Sequence, residues 1–316
     1  MRIIFLGIVL ITLTACTDKS APANTKAINH SATRITEGLF VIHGPLDLPN
    51  KTNKGFMNNP GFVITNKGVV VIDPGSSRGT GEMVLREIKK ISSQPVVAVF
   101  NSHEHGDHWL GNEAIKLAYP DVIIYGHENM KQAAETDGDN WVKIFKKATE
   151  GTMTPTKAVP PNKTVKPNEI IKVGGISFRI HNYGQAHTKG DIMVEVVEKK
   201  VLFVGDIALY KRMPRMNDAS FKGNINSLNK ALALDIKYYV PGHGITGGKE
   251  VITPFLDYLT LMRTSVTRLY DDSLLDYEMK IKMRPDFVAW QNWVDFPEEF
   301  GRHIGVAYLE VEKEEF

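Results

Sequence analysis

The chain has 316 residues, 42% of them hydrophobic, which is enough for one large domain or two ordinary ones with a substantial core. Its 38 basic and 36 acidic residues are evenly spread and leave a net charge of only +2, which argues against a nucleic-acid partner. The single cysteine excludes an intrachain disulfide and leaves no thiolate in the body of the chain to bind a metal.

The N-terminus has the pattern of a secretory signal peptide. Arg2 precedes an apolar run at residues 3–12, which is shorter than the roughly 20 residues needed to span a bilayer. The next four residues, Leu-Thr-Ala-Cys, end at Cys16 and resemble the lipobox of bacterial lipoproteins. The resemblance implies that residues 1–16 are a lipoprotein signal peptide with its lipobox, with cleavage before Cys16 and lipid attachment to it. An ordinary signal peptide with an incidental cysteine is the alternative.

These features predict an exported protein, anchored by the lipid on Cys16 at the periplasmic face of a bacterial membrane. Several acyl chains on one residue would give a stable anchor. Thr17 follows the cysteine, where an aspartate would suggest retention in the inner membrane, so we expect the outer membrane. Residues 17–33 are polar and small without periodicity, which predicts a flexible tether.

Short apolar runs broken by Gly, Pro and Asn then predict alternating strands and helices. The first set comprises strands at Leu39–His43, Phe62–Thr65 and Val69–Asp73, a helix at Gly81–Ser92, a strand at Val96–Phe100, a helix at Asn112–Ala118 and a strand at Val122–Tyr125. Asn66-Lys67-Gly68 predicts a tight hairpin turn. Residues 127–153 are expected to form a mostly solvated helix, and four prolines predict a loop at residues 154–168.

A second, similar set follows. It comprises strands at Ile170–Val173, Ile176–His181, Ile192–Val197 and Val201–Val204, a helix at Ile225–Leu234 and a strand at Tyr238–Val240. Two such sets suit a sandwich of two sheets with helices outside. The last 65 or so residues are predicted to be helical, and we expect their aromatic side chains to pack on the core rather than to form a binding surface.

Three imidazoles and one carboxylate crowd into six residues after a predicted buried strand, in the order His103, His105, Asp107 and His108. The first two histidines can point the same way because side chains alternate along an extended chain. Gly106 allows a sharp turn that brings the other two groups to the same cavity. Imidazole and carboxylate both bind zinc, and four such groups exceed the three protein ligands of a typical catalytic zinc. The cluster therefore predicts two metals.

The spacing His-x-His-x-Asp-His resembles the signature of the metallo-beta-lactamase superfamily, and three later segments resemble its other metal-binding motifs in the expected order. These are Gly184–Asp191 (GQAHTKGD), Val201–Asp206 (VLFVGD) and Val240–Gly244 (VPGHG). The resemblance implies an α/β (α+β) fold, an αββα sandwich of two mixed β-sheets flanked by helices, at residues 34–249. Residues 250–316 would be a helical C-terminal extension packed on the same domain.

The resemblance also implies a role for each ligand. The first metal is held by His103, His105 and His187, the second by Asp107, His108 and His243, and Asp206 bridges the two. Asp107 is the expected catalytic residue, which orients the nucleophile and passes its proton to the leaving group. We expect two zinc ions per chain, with iron or manganese as alternatives.

Several other polar residues have two interpretations. Asp73 occupies a position where the family often has a carboxylate that orients a metal-binding histidine, but it could simply form a turn before proline. Lys211, Arg212 and Arg215 could hold a substrate carboxylate or sulfate, but we interpret them as a solvated basic loop. The remaining five histidines match no ligand motif and are interpreted as structural: His30, His43, His127, His181 and His303.

The implied function is binuclear zinc-dependent hydrolysis, in which a hydroxide shared by the metals attacks a small-molecule ester, thioester or lactone. A beta-lactamase is the main alternative, although beta-lactamases of this fold generally lack the bridging aspartate found here at Asp206. An iron-dependent dioxygenase would use a subset of these ligands, and a diiron oxidoreductase has glutamate at the position of His105. The complete ligand set disfavours a non-catalytic metal-binding lipoprotein, and the lack of a basic face disfavours a nuclease.

Overall fold

Strand β3 (Gly61–Thr65) turns back at Asn66-Lys67 into β4 (Gly68–Ile72), so the predicted hairpin is confirmed. Gly68 has φ 136°, a conformation that glycine adopts without strain. The computed structural model describes residues 27–315. Within them, this hairpin belongs to a seven-stranded sheet whose first four strands pair antiparallel and whose last four pair parallel. The other strands are β1 (Thr33–Thr36), β2 (Leu39–Val41), β5 (Val96–Phe100), β6 (Ile123–His127) and β7 (Lys163–Val165).

The second half of the described chain forms a five-stranded sheet in the order β12-β11-β10-β9-β8. Strands β11 and β12 are parallel, and the other neighbours are antiparallel, so both sheets are mixed as predicted. The strands are β8 (Ile170–Val173), β9 (Ile176–His181), β10 (Met193–Val196), β11 (Val201–Gly205) and β12 (Tyr238–Pro241).

Helices cover the outer face of each sheet. Helix α1 begins where Ser77 and Thr80 cap each other's backbone N–H groups, and it buries Met83, Val84 and Ile88 against the first sheet. The helices are α1 (Arg78–Ile91), α2 (Gly106–Trp109), α3 (Asn112–Ala118), α4 (Glu128–Ala148), α5 (Phe221–Leu232), α6 (Thr253–Asp271), α7 (Asp276–Met283) and α8 (Phe296–Glu314). No helix within residues 27–315 has the length and apolar character that a membrane crossing requires.

The alternation of side chains in the strands creates three cores. On β4, Val70 and Ile72 face the second sheet, whereas Val69 and Val71 face the helices α1 and α3. On the second sheet, Leu202 and Val204 of β11 pack against the C-terminal helices. Burial on both faces explains why these strands are continuous apolar runs. The αββα layering predicted from the sequence is therefore confirmed.

The C-terminal helices share one core with the second sheet. Phe287 and Phe300 are almost fully buried in the cluster that also contains Leu202 of β11, so these aromatic side chains form core rather than surface. Edge-to-face contacts of Tyr258 with Phe287 and with Trp290 join α6 to the segment that follows α7.

The structure differs from the sequence predictions in the proline-containing stretch and in the tether. The proline-containing stretch predicted as a loop includes β7, whose Thr164 pairs with Gly126 and extends the first sheet. Part of the expected tether is folded, because Ile28 is buried and its carbonyl accepts a hydrogen bond from Arg86. Residues 1–16 and 17–26, the predicted signal peptide and most of the tether, lie outside the described residues.

Candidate metal centre

The predicted ligands meet at one edge of the sandwich because strands end there. His103 and His105 follow β5, Asp206 follows β11, and His243 follows β12. Strand β10 runs antiparallel to β11, so its amino end, preceded by His187, reaches the same edge. A backbone hydrogen bond of 2.8 Å from Ile192 to Ser102 ties the two sheets together at this point.

The structure brings all seven predicted ligands into two groups that share one carboxylate. Within each group the potential ligand atoms lie within 4.8 Å of one another. The groups are His103, His105, His187 and Asp206, and Asp107, His108, Asp206 and His243. Two carboxylates and five imidazoles in this arrangement offer the donor set of two neighbouring zinc sites joined by a bridging aspartate.

Distances within the groups show the ligand atoms converging. His105 Nδ1 lies 2.9 Å from His187 Nε2 in the first group. In the second, His108 Nε2 lies 3.1 Å from Asp206 Oδ1, and His243 Nε2 lies 3.1 Å from Asp107 Oδ2. Each histidine therefore points one ring nitrogen at the shared centre.

The orphaned polar atoms at the centre fit a pair of bound metal ions. His103 Nε2, His108 Nε2 and Asp206 Oδ1 are buried and form no hydrogen bond, although the last two lie 3.1 Å apart. Buried polar atoms are almost always satisfied, and leaving three together unpaired would cost several kcal/mol. Zinc coordination would satisfy all three, since imidazole and carboxylate donors bind zinc at roughly 2.0–2.2 Å.

Two members of the first group have protonation states that suit metal binding. Burial and the neighbouring His105 lower the pKa of His187 to about 3, so at neutral pH this ring is uncharged and has a lone pair to donate. Although burial raises it, the adjacent His243 and His108 hold the pKa of Asp206 well below its ordinary value. The carboxylate that the two groups share is therefore ionised at neutral pH.

Asp73 lies behind the ligands, at the end of β4. Its carboxylate accepts hydrogen bonds from the Ser102 backbone N–H and hydroxyl, both at 2.7 Å, and lies 2.9 Å from His108 Nδ1. The Ser102 hydroxyl in turn lies 2.9 Å from His103 Nδ1. Asp73 also has φ 50°, so it both makes the turn before proline and orients a ligand of the second group.

Asp191 fixes the loop that carries His187. Its carboxylate accepts hydrogen bonds from the Thr188 backbone at 2.7 Å, the Thr188 hydroxyl at 2.9 Å and the Ala186 backbone at 3.2 Å. Burial raises the pKa of Asp191 to about 7, against the lowering effect of these hydrogen bonds. Sequence reasoning assigned no separate role to Asp191.

Residues 44–60 also support the site, through contacts that sequence reasoning missed. The Met57 carbonyl lies 2.8 Å from His243 Nδ1, and the Asn59 side chain donates to the carbonyls of Pro241 and Gly244 at 2.8 Å each. No local sequence signal marks these contacts, because they join segments more than 180 residues apart.

Gly242 is required by close packing at the carboxylate that the two groups share. A Cβ atom at this position would lie 1.8 Å from Asp206 Oδ1. The glycine of the Pro-Gly-His-Gly turn therefore leaves the space that Asp206 occupies between the two groups.

The interpretation of the basic loop is wrong for one of its three residues. Lys211 and Arg215 are exposed, but Arg212 is only 5% exposed. Its Nη1 lies 3.2 Å from His243 Nδ1, the nitrogen that faces away from the other ligands. Arg212 is therefore placed behind a predicted ligand and not in front of the metals, where a substrate anion would bind.

The five other histidines lie outside both ligand groups and make hydrogen bonds or packing contacts within the domain. His303 lies 2.6 Å from the Tyr258 hydroxyl and donates to the Pro214 carbonyl, and His181 lies 2.7 Å from Glu195. His43 lies 2.9 Å from the Thr246 hydroxyl. The other two are His127, which accepts a hydrogen bond at the start of α4, and His30, which packs on Phe56.

Comparison with known proteins agrees with this geometry. The sequence model of the metallo-beta-lactamase superfamily matches residues 53–243, more than half of the chain. The structure of a metallo-beta-lactamase from Pontibacter korlensis superposes with a TM-score of 0.60 at 21% identity, covering 73% of this chain and 99% of that one. At this identity the superposition shows a common fold.

Two relatives match over shorter lengths. Metallo-beta-lactamase IND-1 of Chryseobacterium indologenes is 26% identical over 176 residues, which are 56% of this chain and 62% of that protein. A hydroxyacylglutathione hydrolase of Acaryochloris marina is 33% identical over 76 residues, which are 23% of this chain and 28% of that protein. The chain thus spans less than two thirds of the length of either relative.

Proposed function

Since this chain belongs to the metallo-beta-lactamase superfamily, we propose that it is a binuclear zinc-dependent hydrolase of small-molecule esters, thioesters or lactones. One observation carries the proposal: two groups of buried ligand atoms, each within 4.8 Å, share the carboxylate of Asp206. Two zinc ions bound here would supply a hydroxide nucleophile at neutral pH and polarise the oxygen of the electrophile.

The residues of the site have distinct tasks in this proposal. Asp206 holds the two groups together, and Asp73 orients His108 from behind. Asp107 is buried beside His108 and His243, which hold its pKa well below its ordinary value although burial raises it. Its ionised carboxylate orients the attacking nucleophile and takes up the proton that then goes to the leaving group.

Asp206 also supports a preference among substrates. A carboxylate shared by two bound zinc ions would add negative charge between them, which would make them weaker Lewis acids and make the hydroxide they supply more basic. Esters and thioesters have leaving groups that depart readily, whereas the nitrogen of an amide must be stabilised or protonated. The similarity over 76 residues to a protein named as a hydroxyacylglutathione hydrolase agrees with this preference.

We expect kcat/KM for a lactone and a thioester to exceed that for a cephalosporin on the same zinc-loaded preparation. The measurement is a steady-state comparison of the three substrates. A beta-lactamase is the second candidate, favoured by the 26% identity to metallo-beta-lactamase IND-1. A cephalosporin value well above the other two would refute the preference and establish that candidate.

We further propose that the protein is exported and lipid-anchored through Cys16. The support is the short apolar run followed by Leu-Thr-Ala-Cys. Replacing Cys16 with serine should release the protein from membranes or leave its precursor uncleaved, because serine cannot carry a thioether-linked lipid. Fractionation of cells that express each form tests this, and unchanged membrane attachment of the variant would refute it.

A further inference from the structure

The C-terminal extension reaches the back of the second ligand group. Val294 and Arg212 form an isolated parallel bridge, in which Met213 N–H donates to the Val294 carbonyl at 2.9 Å and Val294 N–H donates to the Lys211 carbonyl at 3.0 Å. The family match ends at residue 243, well before this segment. The bridge fixes the next residue, Asp295, beside the loop that follows the bridging aspartate.

Arg212 connects Asp295 to His243. Its Nε lies 3.6 Å from Asp295 Oδ2, and its Nη1 lies 3.2 Å from His243 Nδ1. The opposite ring nitrogen, His243 Nε2, faces Asp107 Oδ2 at 3.1 Å and Asp206 Oδ2 at 3.4 Å. A buried guanidinium therefore stands directly behind a ligand of the second group.

His243 Nδ1 has two neighbours of opposite character. The Met57 carbonyl, at 2.8 Å, accepts a proton from Nδ1, and a ring protonated at Nδ1 presents the lone pair of Nε2 to a metal. Arg212 can only donate. The two contacts of Nδ1 exclude each other, because a protonated Nδ1 can only donate to Met57, whereas acceptance from Arg212 would leave the proton of a neutral ring on Nε2 and block the ligand. The closer Arg212 comes to Nδ1, the more it opposes metal binding.

We propose that Arg212 weakens the second metal site and that Asp295 of the extension limits this effect by offsetting the charge of the guanidinium. Carboxylate and carbonyl groups behind a ligating histidine raise its donor strength, and a cation there does the reverse. Both residues are positioning residues, since neither lies among the ligand atoms. The inference rests on the proposed two-zinc function.

The variants Arg212→Met, Asp295→Asn and the double variant test the proposal. Methionine removes the charge and keeps most of the volume. Asparagine keeps the shape of aspartate and, like it, tolerates the φ of 65° observed at position 295. Zinc binding is measured by competition with a chromophoric chelator, which gives two dissociation constants. Repeating it in a His105→Ala background, which retains the second group, assigns the changed constant to that group.

Opposite effects are expected from the two single variants. Arg212→Met should bind the second zinc about tenfold more tightly and Asp295→Asn about tenfold more weakly, in the range found for groups behind metal ligands. The double variant should resemble Arg212→Met, because no guanidinium charge remains for Asp295 to offset. The first zinc should be unaffected.

Arg263→Met is the matched control, since Arg263 pairs with Glu310 and Glu314 within the extension and should leave both constants unchanged. A purely structural role would weaken zinc binding in both single variants and lower their melting temperatures together. That result, or unchanged zinc dissociation constants, would overturn this inference and leave the proposed function standing. Fewer than two zinc ions in the wild type would overturn the proposed function, and the inference with it.

Discussion

Replacing His105 with alanine is expected to reduce kcat/KM by about 10³-fold or more while the fold survives, because loss of a metal ligand should cost more than the 10–100-fold typical of groups behind ligands. His105 suits the test because its side chain is 16% exposed, whereas the other six predicted ligands are buried. Removing its side chain leaves a solvent-filled space at the entrance of the site rather than a cavity in the core. Kinetics, zinc content and circular dichroism measured on one preparation separate loss of metal from loss of fold.

His181→Gln is the matched control for that variant. His181 is buried and bonds to Glu195 and Tyr183, but it belongs to neither ligand group. The His181→Gln variant should be somewhat less stable and should keep both its zinc and most of its activity. Equal loss of activity in the two variants, or full activity in His105→Ala, would contradict the assignment of His105.

Asp73→Asn should lower zinc affinity or activity by about 10–100-fold, the range typical of a carboxylate that orients a metal-binding histidine. Asparagine preserves the turn, because it tolerates the φ of 50° at this position. It removes the charge and one of the oxygens that serve Ser102 and His108. The expected result is weaker zinc binding with near-normal folding, measured by chelator competition and thermal unfolding.

Glu87→Gln provides the comparison for Asp73. Glu87 is another buried carboxylate that accepts a backbone hydrogen bond, from Ala32 at 3.0 Å, and pairs with Lys90 on α1. Its variant should lose stability without loss of zinc affinity. If Asp73→Asn behaved in the same way, Asp73 would serve the turn alone.

The ligand motifs and the core strands could be predicted because their signals are local. His103, His105, Asp107 and His108 lie within six residues, and β4 and β5 are apolar on both faces because both faces are buried. The hairpin at Asn66-Lys67 is followed by Gly68, and these residues are typical of a tight turn. Such features depend on neighbouring residues, which the sequence shows directly.

The supporting contacts could not be predicted, since they depend on tertiary packing. Met57 reaches His243 across 186 positions, and Asp295 reaches Arg212 through a bridge between two irregular segments. The burial of Arg212 has the same origin. A charged residue in a polar loop is usually exposed, but here the loop pairs with Val294 of the C-terminal extension and Arg212 is buried. Short strands such as β7, next to prolines, also form only because a neighbouring strand supplies the partner.

The zinc content of the purified protein tests the central claim most directly. Elemental analysis should find about two zinc ions per chain, as expected for a two-metal site with a shared carboxylate. Removing them with a chelator should abolish hydrolysis of the best ester or thioester substrate, and adding zinc back should restore it. Full hydrolytic activity in a sample shown to be free of metal would contradict the account.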